Sequence, residues 1–137
     1  MGLIYFGMFD LCKNSKKKGD AGLGCAIAYF TLTGDPVCIP LTDSQDYDLV
    51  VEIDGVLKKV QVKTTTQKTK YDIYKVGLRV CGGNSKSNFV HKHADEIDYD
   101  LLFILTDDGT KYLIPKEVIA GIKAEITLGS KYELYKL

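Results

Sequence analysis

Leu23, Ile27 and Phe30 stand at i, i+4 and i+7 within residues 19–30, a spacing that predicts a helix with one apolar face. Asp20 occupies the place of an N-cap, Gly34 and Asp35 mark the stop, and the small residues between imply a backbone lying close against a sheet. The proline-bounded run 36–40 predicts a brief strand at a sheet edge. Residues 47–53 and 56–64 are β-branched runs joined by Asp54-Gly55, a strong hairpin signal. On the second of these strands Val60 and Val62 alternate with Gln61 and Lys63, so each pair takes its own face. Residues 71–80 read as a further strand and 81–88 as a loop. The apolar run 100–105 predicts a buried strand, and Asp108-Gly109 turns it back into 111–114. Pro115 opens a short helix to Ile119. The fold class is α+β, a mixed and mostly antiparallel sheet with helical cover.

Length adds that the chain is one domain: 137 residues suffice for one core and fall short of two ordinary ones. That domain spans 1–137, with 1–15 as an N-terminal extension and 120–137 as a C-terminal one. No run approaches the roughly 18 apolar residues of a membrane span, and the apolar opening lacks a basic lead and a cleavage site. Cys12, Cys25, Cys38 and Cys81 form no CxxC pair and read as reduced thiols, so a cytoplasmic location without membrane partners is expected.

Charge changes the picture more. The 18 basic and 18 acidic residues cancel overall. By segment they do not: residues 35–54 hold six acids and no Lys or Arg, while 56–93 hold nine bases against the single acid Asp72. Lys16, Lys17 and Lys18 precede the acidic block. Sorted blocks permit a basic face beside an acidic pocket, the arrangement needed by a metal-dependent enzyme acting on nucleic acid.

The chemistry lies in the predicted hairpin. It brings Asp48, at the start of one strand, beside Gln61 and Lys63 on the next. A carboxylate with a neighbouring carbonyl oxygen suits Mg²⁺, a hard ion that keeps several waters and binds phosphate oxygens. An adjacent ammonium can hold the attacking water while the metal offsets charge on the transition state. These are the parts of a phosphodiester hydrolase.

Asp48 in YDLVVEIDG, followed by VQVKT, resembles the core of the PD-(D/E)XK nuclease superfamily, with Gln61 at its usual acidic position. The resemblance is strongest to the group I intron-associated homing endonucleases, where a Gln-x-Lys variant occurs. It spans roughly residues 18–119, taking in the first helix, IPLTDSQDYDL, VQVKTT and DYDLLFILTDDGTKYLIP. It implies a restriction-endonuclease-like core with a mixed sheet flanked by helices, and a metal-dependent DNA endonuclease. By the same resemblance Asp48, Gln61 and the Val62 carbonyl hold Mg²⁺, with Mn²⁺ as a substitute, and Lys63 orients the nucleophile. The family's helical Glu falls on Leu23 here. Asp20, three residues earlier, has two readings, a catalytic carboxylate replacing that Glu or a helix cap.

Double-stranded DNA is the expected partner. Lys16, Lys17, Lys18, Lys68, Lys70, Lys75, Arg79, Lys86, His91 and Lys92 are candidate contacts to it. His91 and His93, with Cys81, lack the paired ligands of a structural zinc site, and His91 with Lys92 and Asn88 fits a loop touching DNA better. The resemblance implies one site per subunit, so a homodimer or higher homo-oligomer is expected for cutting both strands. The rival functions are a structure-selective nuclease of the Holliday junction resolvase kind and an inactive DNA-binding module of the same fold.

Overall fold

A computed structural model of the chain describes residues 7–82, 90–92 and 94–137, with the backbone alone described at 80–82, 90–92 and 94. The first element is helix α1, Ser15–Leu32. It starts earlier than the 3.6-residue pattern indicates, because Asn14 is the cap: its side chain accepts from the Lys17 N–H at 2.9 Å. Lysines are good helix formers, so the polar run 15–18 is the first turn of α1. Asp20 therefore lies inside the helix, and the expectation that it caps α1 is corrected. Gly34, at φ 83°, ends the element as expected.

Strands follow at β1, Val37–Cys38, β2, Leu49–Ile53, and β3, Val56–Thr65. Asp54 and Gly55 sit at φ 51° and 77°, the two left-handed positions of a type I′ turn, which matches the twist of β2 and β3. The expected strand 71–80 is divided. Asp72 is left-handed at φ 62°, and the chain then forms β4, Lys75–Gly77, and β5, Val80–Gly82, each with a different partner. β6, Val90–Lys92, pairs with β5. β7 is Leu101–Thr106, β8 Lys111–Pro115 and β9 Glu125–Thr127, the last paired with β4. Between β8 and β9, Lys116–Ile119 forms a 3-10 turn instead of an α-helix, with Pro115 at its cap instead of its first position.

The main sheet runs β1-β2-β3-β7-β8 and is antiparallel except at β3–β7. This is the mixed α+β arrangement expected. β7 is buried on both faces, which is why its sequence is continuously apolar. Phe103 and Leu105 join Leu49, Val51 and Val60 under Ala26 and Phe30 of α1. Leu102 and Ile104 face the other way, into a cluster with Val76, Leu78, Ile114, Ile126, Leu128 and Tyr132. That second face is covered by the β4–β9 pair and 3-10 turns, so residues 120–137 contribute to the core. Phe9, 3% exposed, likewise anchors the segment before α1. Among the described residues no helix is long and apolar enough to cross a membrane.

Candidate active site

The β2–β3 register ends with Leu49 opposite Val60, and Asp48 directly precedes that pair. The Asp48 N–H donates to the Val60 carbonyl at 2.9 Å, and there the backbone ladder ends. The Asp48 side chain takes the next rung: its Oδ2 accepts from the Val62 N–H at 2.7 Å. Within an extended residue the N–H and C=O point to the same strand edge. The Val62 carbonyl therefore opens on the edge that Asp48 occupies.

Gln61 and Lys63 point to the face opposite α1, in register with Leu102 and Ile104 of β7. Gln61 is 7% exposed. Its Nε2 reaches the Val62 carbonyl at 3.4 Å, while its Oε1 is buried without a hydrogen-bond partner among the described residues. An orphaned buried carbonyl oxygen costs about 1–3 kcal/mol, and such a group calls for a ligand. Oε1 can only accept, so the missing partner is a donor or a cation. One carboxylate, one amide oxygen and one main-chain carbonyl make an all-oxygen set, and this set fits a hard divalent ion. Among the described residues no group of three or more His, Cys, Asp or Glu gathers anywhere, so no richer metal site competes.

Lys63 Nζ donates to the Arg79 carbonyl at 2.9 Å, which ties the strand to the segment between β4 and β5. No sequence signal pointed to this anchor, because a main-chain carbonyl carries no residue type. Burial pushes the Asp48 carboxyl above its ordinary 3.8, outweighing the Val62 N–H and the Lys63 charge, which pull it down. The folded chain thus binds this proton more tightly than the unfolded chain. Stability falls as pH rises from the unfolded value through the folded one, and the loss is complete above both. Asp48→Asn keeps an acceptor for Val62 and removes the charge. The metal-free Asn variant is expected to melt above the wild type at pH 7, with the gap closing as pH drops through the Asp48 transition; equal midpoints at pH 7 would contradict this.

Asp20 is exposed, on the side of α1 shared with Gly24 and Ala28 and turned away from the sheet. It is not brought to the cluster of Asp48 and Gln61. Leu23 is half-buried and packs against the α1-side core, so its position supplies apolar contact and no charge. α1 lies close on β3: a Cβ on Gly22 would fall 2.4 Å from Thr64 Cγ2 and 3.3 Å from Val62 Cγ1. Lys16 and Lys17 are exposed on the first turn of α1, and Lys18 is half-buried beside the end of β3. Lys68, Lys70, Lys75 and Arg79 follow the site strand; Lys68 pairs with Asp72 at 2.8 Å. Lys86 and His93, and the side chains of Cys81, His91 and Lys92, lie outside the described residues.

The mixed sheet, with Asp48 just before β2, Gln61 and Lys63 on β3 and α1 packed behind, is the arrangement that the sequence resemblance implies. The sequence matches the model of the PD-(D/E)XK endonucleases over residues 13–133, and the chain belongs to that family. Among solved structures it is similar to that of a bacterial homing endonuclease, I-Ssp6803I, with 29% identity and a TM-score of 0.63 over 83% of this chain and 74% of that one. A comparison with curated protein sequences gives no match.

Proposed function

We propose that the protein is a Mg²⁺-dependent endonuclease that hydrolyses phosphodiester bonds of double-stranded DNA, in the manner of a homing endonuclease, and acts as at least a homodimer. The orphaned Oε1 of Gln61, a residue whose Nε2 reaches the carbonyl of the same Val62 whose N–H Asp48 accepts, carries this reading. Asp48, Gln61 and the Val62 carbonyl would hold the ion, which would supply charge stabilisation at the phosphoryl oxygens and acidify a water. Asp48 contributes the negative charge of the site, and its bond from Val62 fixes the carboxylate's direction. Lys63, steadied by the Arg79 carbonyl, presents its ammonium on the same face, where it orients the water for in-line attack and counters charge on the phosphate. Gln61 leaves the site with one carboxylate from these residues, so a single ion with weak affinity is expected.

The test is nicking and linearisation of supercoiled plasmid with Mg²⁺, with Mn²⁺, and with EDTA. Wild-type protein is expected to cut with either metal and to stop with EDTA, and Asp48→Ala to lose at least tenfold in apparent metal affinity. Cutting by Asp48→Ala at the wild-type metal dependence would remove the site assignment. Equal rates on random linear duplex and faster cutting of a four-way junction would replace the homing reading with a junction-selective one. Duplex binding without cutting in any metal would leave a DNA-binding module.

A further inference from the structure

The chain leaves β3 two residues beyond Lys63 and forms a small hairpin over residues 66–74 before entering β4. Its base is pinned by the buried Thr65, whose Oγ1 donates to the Lys75 carbonyl at 2.6 Å and accepts from the Gln67 N–H at 3.1 Å. Its arms pair antiparallel: Lys75 N–H donates to the Gln67 carbonyl at 3.0 Å, Thr69 N–H to the Ile73 carbonyl at 2.8 Å, and Lys68 bridges Tyr74. At the tip the Thr69 hydroxyl accepts from the N–H groups of Tyr71 and Ile73, and Asp72 N–H donates to the Thr69 carbonyl. The tip is therefore ordered in advance by its own bonds.

What it displays is not what a solvated turn needs. Tyr71 is 73% exposed, with the Lys70 ammonium 5.0 Å from its ring centre. Gln67 is exposed on the leading arm, and Lys68 offsets the one acid of the tip, Asp72. An amide, a phenol and a net positive charge make a set that hydrogen-bonds base edges and favours a polyanion. The shape agrees. Two strands about 4.8 Å apart fit a major groove about 12 Å wide, and four residues at about 3.3 Å each reach roughly 13 Å, beyond the groove's depth of about 8.5 Å. At the hairpin's base a cleft of about 340 Å³ bordered by Ser15, Lys18, Thr66 and Gln67 offers hydroxyls and a cation along the path of a sugar–phosphate backbone.

We infer that residues 66–74 are a base-reading ribbon that enters the major groove of the duplex being cut, with Gln67 and Tyr71 as its specificity-determining side chains. The inference rests on the nuclease reading above. It is tested on a library of randomised duplexes from which the wild-type protein, with Mg²⁺, selects its cut sequences. Gln67→Ala and Tyr71→Ala change exposed side chains, and unchanged thermal midpoints confirm that both variants fold. Each is expected to bind the selected duplex about 5- to 150-fold more weakly and unselected duplex within about twofold of wild type. Equal binding of both duplexes by wild type and variants overturns the inference. So does an equal loss on both duplexes, because that marks contact with the sugar–phosphate backbone alone. A wild-type protein that cuts the library without fixing any base leaves the nuclease reading standing and removes this one; a wild-type protein that neither binds nor cuts duplex removes both.

Discussion

Lys63→Ala is expected to slow plasmid cleavage at saturating DNA and metal by about 10²- to 10⁴-fold, the range over which a positioned proton-handling group usually acts. Two effects combine. The ammonium proposed to orient the water and counter the phosphate charge is lost, and so is a positive charge that now holds down the raised Asp48 carboxyl. The variant's residual pH–rate profile should therefore shift to higher pH, because Asp48 must ionise before it can bind a cation. Single-turnover rates across pH 5 to 9 measure both effects, and a rate within tenfold of wild type at every pH would exclude Lys63 from the chemistry. Lys63→Arg is a useful companion. It keeps the charge but replaces a compact ammonium with a planar fork, so it should restore the pH profile far better than the rate.

Phe103→Ala is expected to cost about 3–5 kcal/mol of folding stability. The ring is fully buried at the centre of β7, with its centroid 6.2 Å from that of Phe30 and 6.0 Å from that of Tyr29 on α1. Small domains hold only about 5–15 kcal/mol in total, so this one change approaches the limit of what the fold tolerates. Urea titration of wild type and variant gives the difference, and a loss below about 1 kcal/mol would show that α1 can collapse into the space. Because Phe103 is the register partner of Val62, the variant should also bind metal less tightly in the remaining folded fraction.

The grouping of the candidate site residues was more legible in the sequence than its surroundings, for a local reason. Asp48, Gln61 and Lys63 are joined by one short hairpin whose Asp54-Gly55 turn sets the register, so the hairpin brings Asp48 beside the strand on which Gln61 and Lys63 share a face. The start of α1 was misplaced because an asparagine caps as well as an aspartate and lysines carry no apolar period. The 71–80 segment looked continuous because its left-handed break falls on Asp72, a residue that also occurs in strands. Three-residue pieces such as β4 and β9 are too short for alternation to register, so the cover they give Gln61's face was not visible. Nothing local marked the β3–β7 pairing or the tie from Lys63 to Arg79, since each joins segments by backbone geometry across intervening chain.

That β3–β7 pairing sets an order of events during synthesis. The hairpin of β2 and β3 can close as soon as it leaves the ribosome, but its second edge waits for residues 101–106, made some forty positions later. Until then Gln61 and Lys63 have no wall behind them, and a nascent or prematurely ended chain cannot hold the proposed ion-binding groups in fixed positions. The candidate site is thus assembled only after residues 101–106 have been translated.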